Sequence, residues 1–200
     1  MCARVLWMLI VAWVAASPVW ALDPTKRVSQ YAHTSWRSRD GYFGGSFPAS
    51  IAQTQAGFIW IGTTSGLTRF DGVRFTQWSP SDGQPLPLPI ACMVAAKDGS
   101  LWMGANGYVA HWEGGRLTRY AAGPFTVMAI LETNDGTIWF TRVGGGKPGG
   151  LCRLERGAFH CYGASDGIEG LQPGALAADV RGTFGSAAMR TSSVGLRPPT

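Results

Sequence analysis

Aromatic residues recur in this sequence at a fixed interval, and that period restricts the chain to a repeat architecture. Four of them end short apolar segments at equal intervals: Trp36, Trp78, Tyr120 and Tyr162. A second series, Trp60, Trp102 and Trp139, follows aliphatic residues in the middle of each unit. Its first interval equals that of the first series, and its second is slightly shorter. Self-similarity at such a period indicates stacked supersecondary units of one kind.

The first complete unit shows how one repeat divides into strands. An apolar segment around Ile51 precedes the strand that carries Trp60. Two further segments, Leu67–Phe70 and Val73–Trp78, are separated by Asp71-Gly72. This dipeptide is a strong hairpin signal because both residues tolerate a positive φ. Four antiparallel strands in a repeat of about 40–45 residues predict the blade of a β-propeller.

The repeat predicts an all-β fold, a partial β-propeller of about three four-stranded antiparallel blades plus an N-terminal outer strand. Within an incomplete propeller at 22–183, the blades are expected at 46–78, 88–120 and 123–162, with the start of a fourth at 170–183. Each blade buries its faces against its neighbours, so Trp60, Trp102 and Trp139 are the predicted structural core. Tyr31–Trp36 aligns with a fourth, outer strand, and we expect it to belong to a blade shared between the chain ends.

The last segment, residues 184–200, breaks the repeat. Leu176–Thr183 aligns with Ile51–Phe58, but the expected strand with a tryptophan is then replaced by Ser, Ala, Arg and Pro residues. We therefore expect an unstructured tail, and our hypothesis is a truncated or frame-shifted reading frame. Three blades and a fraction cannot close a ring that needs four to eight, so we expect exposed apolar faces and self-association of the chain made alone.

The segment Met1–Ala21 has the pattern of a secretory signal peptide, which would make the chain periplasmic. Arg4 supplies the positive start, Val5–Ala16 the apolar run, and Val19-Trp20-Ala21 the cleavage site. The alternative is a membrane anchor, but the uncharged run Val5–Leu22 is at the short end for a span and contains Ser17-Pro18. We favour the signal peptide, which also predicts an N-terminal signal helix.

The charge pattern argues against nucleic acid as a partner. The formal net charge is +5, and the basic residues are dispersed, without a basic run or an aromatic–basic array. The three histidines and four cysteines show no metal-ligand spacing, so no metal and no cofactor is expected.

Three motifs resemble catalytic signatures but fit turns better. Gly163-Ala-Ser-Asp-Gly167 matches a nucleophile elbow, which requires a following helix that the sequence does not indicate. Gly144–Gly149 matches a dinucleotide loop but precedes a strand instead of a helix. Asp98 and Asp135 occupy the same turn position in successive repeats, where Asp-Gly turn chemistry accounts for them. We expect no catalytic residue among them.

The cysteines leave one question open. Cys152 and Cys161 flank the last hairpin of the third unit and face each other if its turn is Arg156-Gly157. A shift of one residue in register would separate them, so a disulfide and two free thiols both remain open. Cys92 falls in a first strand, where a buried apolar role is expected.

The segment Ile51–Gly72 resembles the two-component regulator propeller repeat, through Ile-Ala-Gln, Gly-Phe-Ile-Trp-Ile-Gly-Thr and Gly-Leu-Thr-Arg-Phe-Asp-Gly. Ser29–Trp36 followed by Asp40-Gly41 is similar to the start of the periplasmic sensor region in that family. The resemblance implies the extracytoplasmic, ligand-sensing part of a two-component sensor, non-catalytic by itself. In the family, a membrane helix leads from further blades to a histidine kinase or diguanylate cyclase, and neither is in this sequence.

The resemblance implies as partners a small molecule or oligosaccharide and the remaining blades of a longer propeller, with membrane contact only through a missing C-terminal region. Two alternatives stay open. Thr137–Thr141 looks like the repeat of streptogramin lyases, for which His111, Glu113 and His160 are the available acid–base residues. The other alternative is a non-functional gene fragment.

Overall fold

The computed structural model of the chain describes residues 27–30, 33–81, 83–144, 150–166, 173–178, 184–188 and 193–196. The chain divides into two compact units, Met1–Ser35 and Trp36–Thr200. In the first, the described residues form one short 3₁₀ turn, Val28–Gln30. The signal peptide and signal helix expected at Met1–Ala21 lie outside the described residues. The sheets described below all belong to the second unit.

The first sheet is a four-stranded antiparallel meander. Its strands in spatial order are β1 (Pro48–Gln53), β2 (Ile59–Thr63), β3 (Leu67–Phe70) and β4 (Phe75–Trp78). The turn between β3 and β4 lies one residue later than the expected Asp71-Gly72, because Phe70 pairs with Phe75 and the central residues are Gly72 and Val73. Asp71 caps this turn, since its Oδ1 accepts hydrogen bonds from the amides of Val73 and Arg74 at 2.8 and 2.7 Å. Gly72 supplies the positive φ of 102°.

The second sheet has six antiparallel strands. They are β5 (Cys92–Ala95), β6 (Leu101–Glu113), β7 (Arg116–Glu132), β8 (Ile138–Val143), β9 (Gly150–Glu155) and β10 (Ala158–Tyr162), in the spatial order β10-β9-β8-β7-β6-β5. Two further 3₁₀ turns, Ser38–Asp40 and Ala164–Asp166, lie before the first sheet and after the second.

The long strand β6 folds back on itself. In a straight strand with a rise of about 3.3 Å per residue, Trp102 and His111 would lie about 30 Å apart. Their rings instead stack with centroids separated by 3.9 Å. The reversal lies at Asn106-Gly107, a two-residue hairpin sequence in which Gly107 has a φ of 76°. The residues before this turn pair with β5, and those after it pair with β7.

Strand β7 also belongs to two repeats. Its first part, up to Ala121, pairs with the second half of β6, and its last part, from Thr126, pairs with β8. The Thr126 hydroxyl donates a hydrogen bond to the Asn106 side-chain oxygen at 2.8 Å, where the two repeats meet. The six-stranded sheet therefore contains the second and third predicted repeats, and the predicted partial β-propeller is confirmed.

The first strands of successive repeats lie side by side. β1 is adjacent to β5, β5 to β7, and β7 to β11 (Pro173–Ala178). One buried cluster combines Trp60 and Leu67 of the first sheet with Leu101 and Met103 of β6. A second cluster combines Trp102 with Phe140 and their neighbours between the second and third repeats. The apolar core thus lies between repeats, as expected for stacked blades.

Two expectations at the ends of the repeat region were wrong. The tail expected to be unstructured contains β12 (Phe184–Ala188) and β13 (Ser193–Leu196), which form a three-stranded sheet with β11. Strand pairing satisfies the backbone groups of this segment without the missing tryptophan, and β11 also lies beside β7 and β8. At the other end, the outer strand was expected at Tyr31–Trp36. Residues 33–37 form no strand, and residues 31 and 32 lie outside the described part of the chain.

In the first two repeats, a glycine lies two residues after the core tryptophan. This glycine, Gly62 or Gly104, permits close contact with the next repeat. A Cβ atom added to Gly104 would meet Sγ of Cys92 on the paired strand, and it would lie 2.5 Å from Cγ1 and 3.0 Å from Cβ of Val127 in the next repeat. At the equivalent Gly62, an added Cβ would lie 2.6 Å from Cγ2 of Ile90. The Trp-x-Gly spacing is therefore a packing requirement of the boundary between sheets.

Replacing Gly104 by alanine is expected to lower the free energy of unfolding by about 1–3 kcal/mol, because the added methyl group overpacks the boundary against Val127. Urea denaturation of the two proteins measures the difference. Gly163 is a matched control, since an added Cβ there meets no atom within 4 Å and its φ lies outside the positive range. Equal stability of G104A and the unmodified protein would contradict the close packing of the two repeats.

Candidate functional site

The three core tryptophans occupy matching positions in the three repeats. Each is buried, on β2, β6 or β8, and each lies near the aromatic residue that ends its own repeat. The ring centroids are 5.8 Å apart for Trp60 and Trp78, 5.9 Å for Trp102 and Tyr120, and 5.8 Å for Trp139 and Tyr162. These tryptophans are thus part of the packing between sheets and are not available to stack on a ligand.

A cationic or ionisable residue lies opposite each core tryptophan on the next strand. Arg69 pairs with Trp60 and Arg153 with Trp139 in the strand register, and His111 stacks on Trp102. Burial lowers the pKa of His111, against the opposing effect of the Glu113 and Asp98 carboxylates, and its Nε2 atom has no hydrogen-bond partner. The structure therefore uses His111 as a packed, neutral ring.

The acidic residues predicted as turn residues do serve the turns. Asp98 accepts a hydrogen bond from the amide of Ser100 at 2.8 Å. Asp135 accepts one from the Thr133 hydroxyl at 2.6 Å and one from the Thr137 amide at 3.1 Å, and these bonds lower the pKa of Asp135 below its ordinary value of 3.8. Both carboxylates are occupied as turn caps, and their lowered pKa values make them weak bases at neutral pH.

Replacing Asp135 by alanine is expected to lower the melting temperature at pH 7. A carboxyl group whose pKa is lower in the folded than in the unfolded state stabilises the fold above its unfolded pKa. That contribution is lost as the pH falls through the folded pKa, which lies below 3.8. The difference in melting temperature between the two proteins should therefore shrink below about pH 4 in a calorimetric pH series. A difference that stays constant at still lower pH would contradict the role of the charge.

Of the remaining catalytic-like motifs, the structure describes the first as a turn and the second only at its first residue. At Gly163–Gly167, the described residues make a 3₁₀ turn in which the Gly163 amide donates to Asp166 Oδ2 at 2.9 Å. Ser165 is hydrogen-bonded to the same carboxylate at 3.3 Å. In the motif Gly144–Gly149, residues 145–149 lie outside the described part of the chain. Of the lyase candidates, His160 contacts Tyr162 edge-on at 4.8 Å within its own hairpin.

The hairpin of β9 and β10 brings Cys152 opposite Cys161 in the strand register. The two sulfur atoms are bonded to each other, and the Cα atoms are 4.0 Å apart. Arg156 and Gly157, the expected turn, both have positive φ values of 49° and 82°. Cys92 is a free thiol, and burial raises its pKa to about 12, so it is protonated and unreactive at neutral pH.

The open cavity in the described region lies on the outer face of the first sheet. It has a volume of about 480 Å³ and an almost entirely apolar lining. The lining includes Trp36, Phe43, Ile51, Ile61, Phe70 and Phe75. Trp36 contacts Phe70 and Phe75 with ring centroids 5.1 and 5.4 Å apart, and Phe70 stacks on Phe75 at 4.4 Å. The cavity is within the size range of ligand pockets.

The sequence analysis expected exposed apolar faces but did not predict this cavity, and the core residues it named do not line it. The signal was present in the repeat alignment, because Ile51 is equivalent to Met93 and Ile130. The latter two have a preceding repeat to cover them, whereas the sequence shows no complete repeat before Ile51. Neither a group of three or more His, Cys, Asp or Glu residues suited to a metal ion nor a helix of membrane-spanning length and hydropathy occurs in the described residues.

No family model and no curated relative matches the sequence. Solved structures do match. The extracellular domain assigned to a one-component system of B. thetaiotaomicron is 16% identical with a TM-score of 0.65, and 84% of this chain aligns with 24% of that one. The extracellular domain assigned to a hybrid two-component system of the same organism is 20% identical with a TM-score of 0.56, over 71% of this chain and 20% of that one.

Virginiamycin B lyase from Staphylococcus aureus is 19% identical, with a TM-score of 0.57, over 78% of this chain and 57% of the lyase. The chain thus spans between about a fifth and somewhat more than half of the proteins it resembles. At these identities the likeness concerns the fold alone. Sequence repeat, strand topology and structural similarity agree on one conclusion: the chain has the fold of a partial β-propeller.

Proposed function

We propose that the chain is the extracytoplasmic, ligand-sensing propeller segment of a two-component sensor and that it has no catalytic activity of its own. The observation that carries the proposal is the similarity, over 84% of the chain, to an extracellular domain of a bacterial signalling system. The resemblance of Ile51–Gly72 to the two-component regulator propeller repeat points in the same direction.

The chemistry of the described residues supports binding over catalysis. Asp98 and Asp135 are occupied by backbone amides of their own turns. His111 is stacked on Trp102 in the second repeat. His160 contacts Tyr162, and both belong to the third repeat. An acid–base mechanism requires a group within hydrogen-bond reach of the substrate and with access to it. These side chains are instead used by turns and by packing between strands.

Extracytoplasmic placement is part of the proposal and is tested first. The chain is fused at its C-terminus to a reporter phosphatase that is active only outside the cytoplasm. We expect phosphatase activity, and loss of that activity when residues 1–21 are deleted. Activity in neither fusion would contradict export, and an N-terminal sequence beginning near Leu22 would establish cleavage.

Ligand sensing is tested by measuring the melting temperature against a panel of neutral and acidic oligosaccharides. A ligand that binds only the folded state raises the melting temperature in proportion to the logarithm of its concentration. We expect a shift that keeps rising with the logarithm of the oligosaccharide concentration, and recovery of the oligosaccharide unchanged. The lyase alternative rests on the structural similarity to virginiamycin B lyase. It predicts conversion of quinupristin to a product of different chromatographic retention, and that result would overturn the proposal.

A further inference from the structure

The position of Trp36 against the first sheet is equivalent to the position of Trp78 against the second sheet. Trp36 and Trp78 are one repeat period apart, and so are the residues they contact, Phe70 and Trp112. The ring centroids are 5.1 Å apart for Trp36 and Phe70, and 5.2 Å apart for Trp78 and Trp112. By position and by contact, Trp36 is the last aromatic residue of a blade that precedes the first sheet.

Such a residue has a tryptophan partner in every complete repeat. The partner is on the second strand, with ring centroids 5.8, 5.9 and 5.8 Å from the aromatic residue that ends the repeat. Within the described residues, the ring neighbours of Trp36 are Phe70 and Phe75, both on the sheet that it covers. The 480 Å³ cavity lies directly beside Trp36, where that partner would be.

The cavity is lined by positions that the preceding repeat covers elsewhere in the molecule. Ile59 and Ile61 line it, and their equivalents in β6, Leu101 and Met103, are fully buried in the cluster that contains Trp60. Ile51 is 68% exposed, whereas its equivalents Met93 and Ile130 are each 9% exposed. The first sheet therefore presents an apolar face with the same residue types as the boundaries between repeats, but no described sheet packs against it.

We propose that this face receives the second strand of a further blade of the same repeat, and that the tryptophan of that strand fills the cavity beside Trp36. The interface would continue the two boundaries already present, between the first and second repeats and between the second and third. Among the described residues, a second copy of this chain offers no second-strand tryptophan that is accessible to fill the cavity. Its own core tryptophans, Trp60, Trp102 and Trp139, are 2%, 7% and 4% exposed.

The test supplies such a blade by duplicating residues 50–91, which is one repeat period, so that the chain runs 1–91 and then 50–200. The inserted unit places its Trp60 in front of the downstream copy of Ile51. The substitution I51C is made in that downstream copy, and Cys2 and Cys92 are replaced by alanine, so that the new thiol is the one that reacts with a maleimide. The unduplicated chain with I51C is the exposed reference, and the unduplicated chain with M93C is the protected one.

We expect the thiol of the downstream I51C position to react at least about tenfold more slowly than the same thiol in the unduplicated chain, and at a rate close to that of the M93C variant. Labelling as fast as in the unduplicated chain would overturn the proposal. Replacing Trp60 by alanine in the inserted unit alone should restore fast labelling, and continued protection would overturn the assignment of the cavity to tryptophan. If labelling of the unduplicated I51C chain becomes slower as the protein concentration rises, a second copy of the chain covers the face. That result would also overturn the proposal.

The unduplicated protein provides a test that does not depend on folding of the longer chain. Ala49 is exposed and lines the cavity, so A49W places an indole in the same space from the first strand. We expect a rise in the melting temperature of several degrees, as for other cavity-filling substitutions. The control V73W adds an indole at an 83% exposed position in the turn between β3 and β4, where no change is expected. A lowered or equal melting temperature of A49W would contradict a cavity with room for an indole ring.

Discussion

Trp60→Ala is expected to lower the free energy of unfolding by about 3–5 kcal/mol, the range for removing a large aromatic side chain from a core. Trp60 is 2% exposed and contacts Trp78 and Trp112 at centroid distances of 5.8 and 5.3 Å. It therefore contributes to the packing within its own sheet and to the boundary with the next one. Urea denaturation followed by circular dichroism measures the loss.

Two controls distinguish packing from polar effects. The Nε1 atom of Trp60 is buried without a hydrogen-bond partner, so Trp60→Phe removes an unsatisfied donor while keeping an aromatic ring. We expect W60F to lose less than half as much stability as W60A. Trp36→Ala, at a 41% exposed position, should also cost less. A loss for W60A no larger than that for W36A would contradict the central position of Trp60 in the core.

Reduction of the disulfide between Cys152 and Cys161 is expected to lower the free energy of unfolding by about 3 kcal/mol, mainly because the reduced unfolded chain gains conformational freedom. The bonded residues are separated by 9 positions and lie on adjacent strands of a single hairpin. The double variant C152A/C161A should be as unstable as the reduced protein. Denaturation with and without reductant, on protein whose redox state is verified by mass, measures the difference.

The free thiol provides the control for that experiment. Cys92 forms no disulfide, and Cys92→Ala should leave the sensitivity to reductant unchanged. If the oxidised protein gains no mass of two hydrogen atoms on reduction, the bond is not formed in solution. Equal stability of the oxidised and reduced forms would show that the disulfide does not reduce the conformational freedom of the unfolded chain.

The repeat period predicted the first sheet well because its turns carry their own chemistry. A tight turn forms within one residue of the expected Asp71-Gly72, and Trp60 and Trp102 occupy equivalent positions on their second strands. The continuity of β6 and β7 was not predictable in the same way. The turn Asn106-Gly107 lies inside the second repeat. Whether strand pairing continues through it depends on the pairing of Asn106 with Thr126 of the next repeat, a contact that is distant in the sequence.

The two errors at the chain ends share a physical cause. Strand prediction relied on apolar alternation, and Phe184–Ala188 is too rich in small residues to show it, yet its backbone pairs with β11 and β13. Trp36 has the expected side-chain environment, but the residues around it form no strand, because a strand needs a partner for its backbone groups. The cavity beside it was indicated only by the repeat alignment, in which Ile51 has equivalents that a preceding repeat covers.

The joined strands of the second and third repeats have a consequence for how the molecule loses its structure. In repeat proteins each unit can open with a free energy set by its own contacts and those with its neighbours. Here the same continuous segment, Arg116–Glu132, supplies hydrogen bonds to both repeats. Amide exchange should therefore report one shared opening reaction for these two repeats and a separate, easier one for the first sheet, so that a pulling force applied along the chain would release the first sheet alone and the other two together.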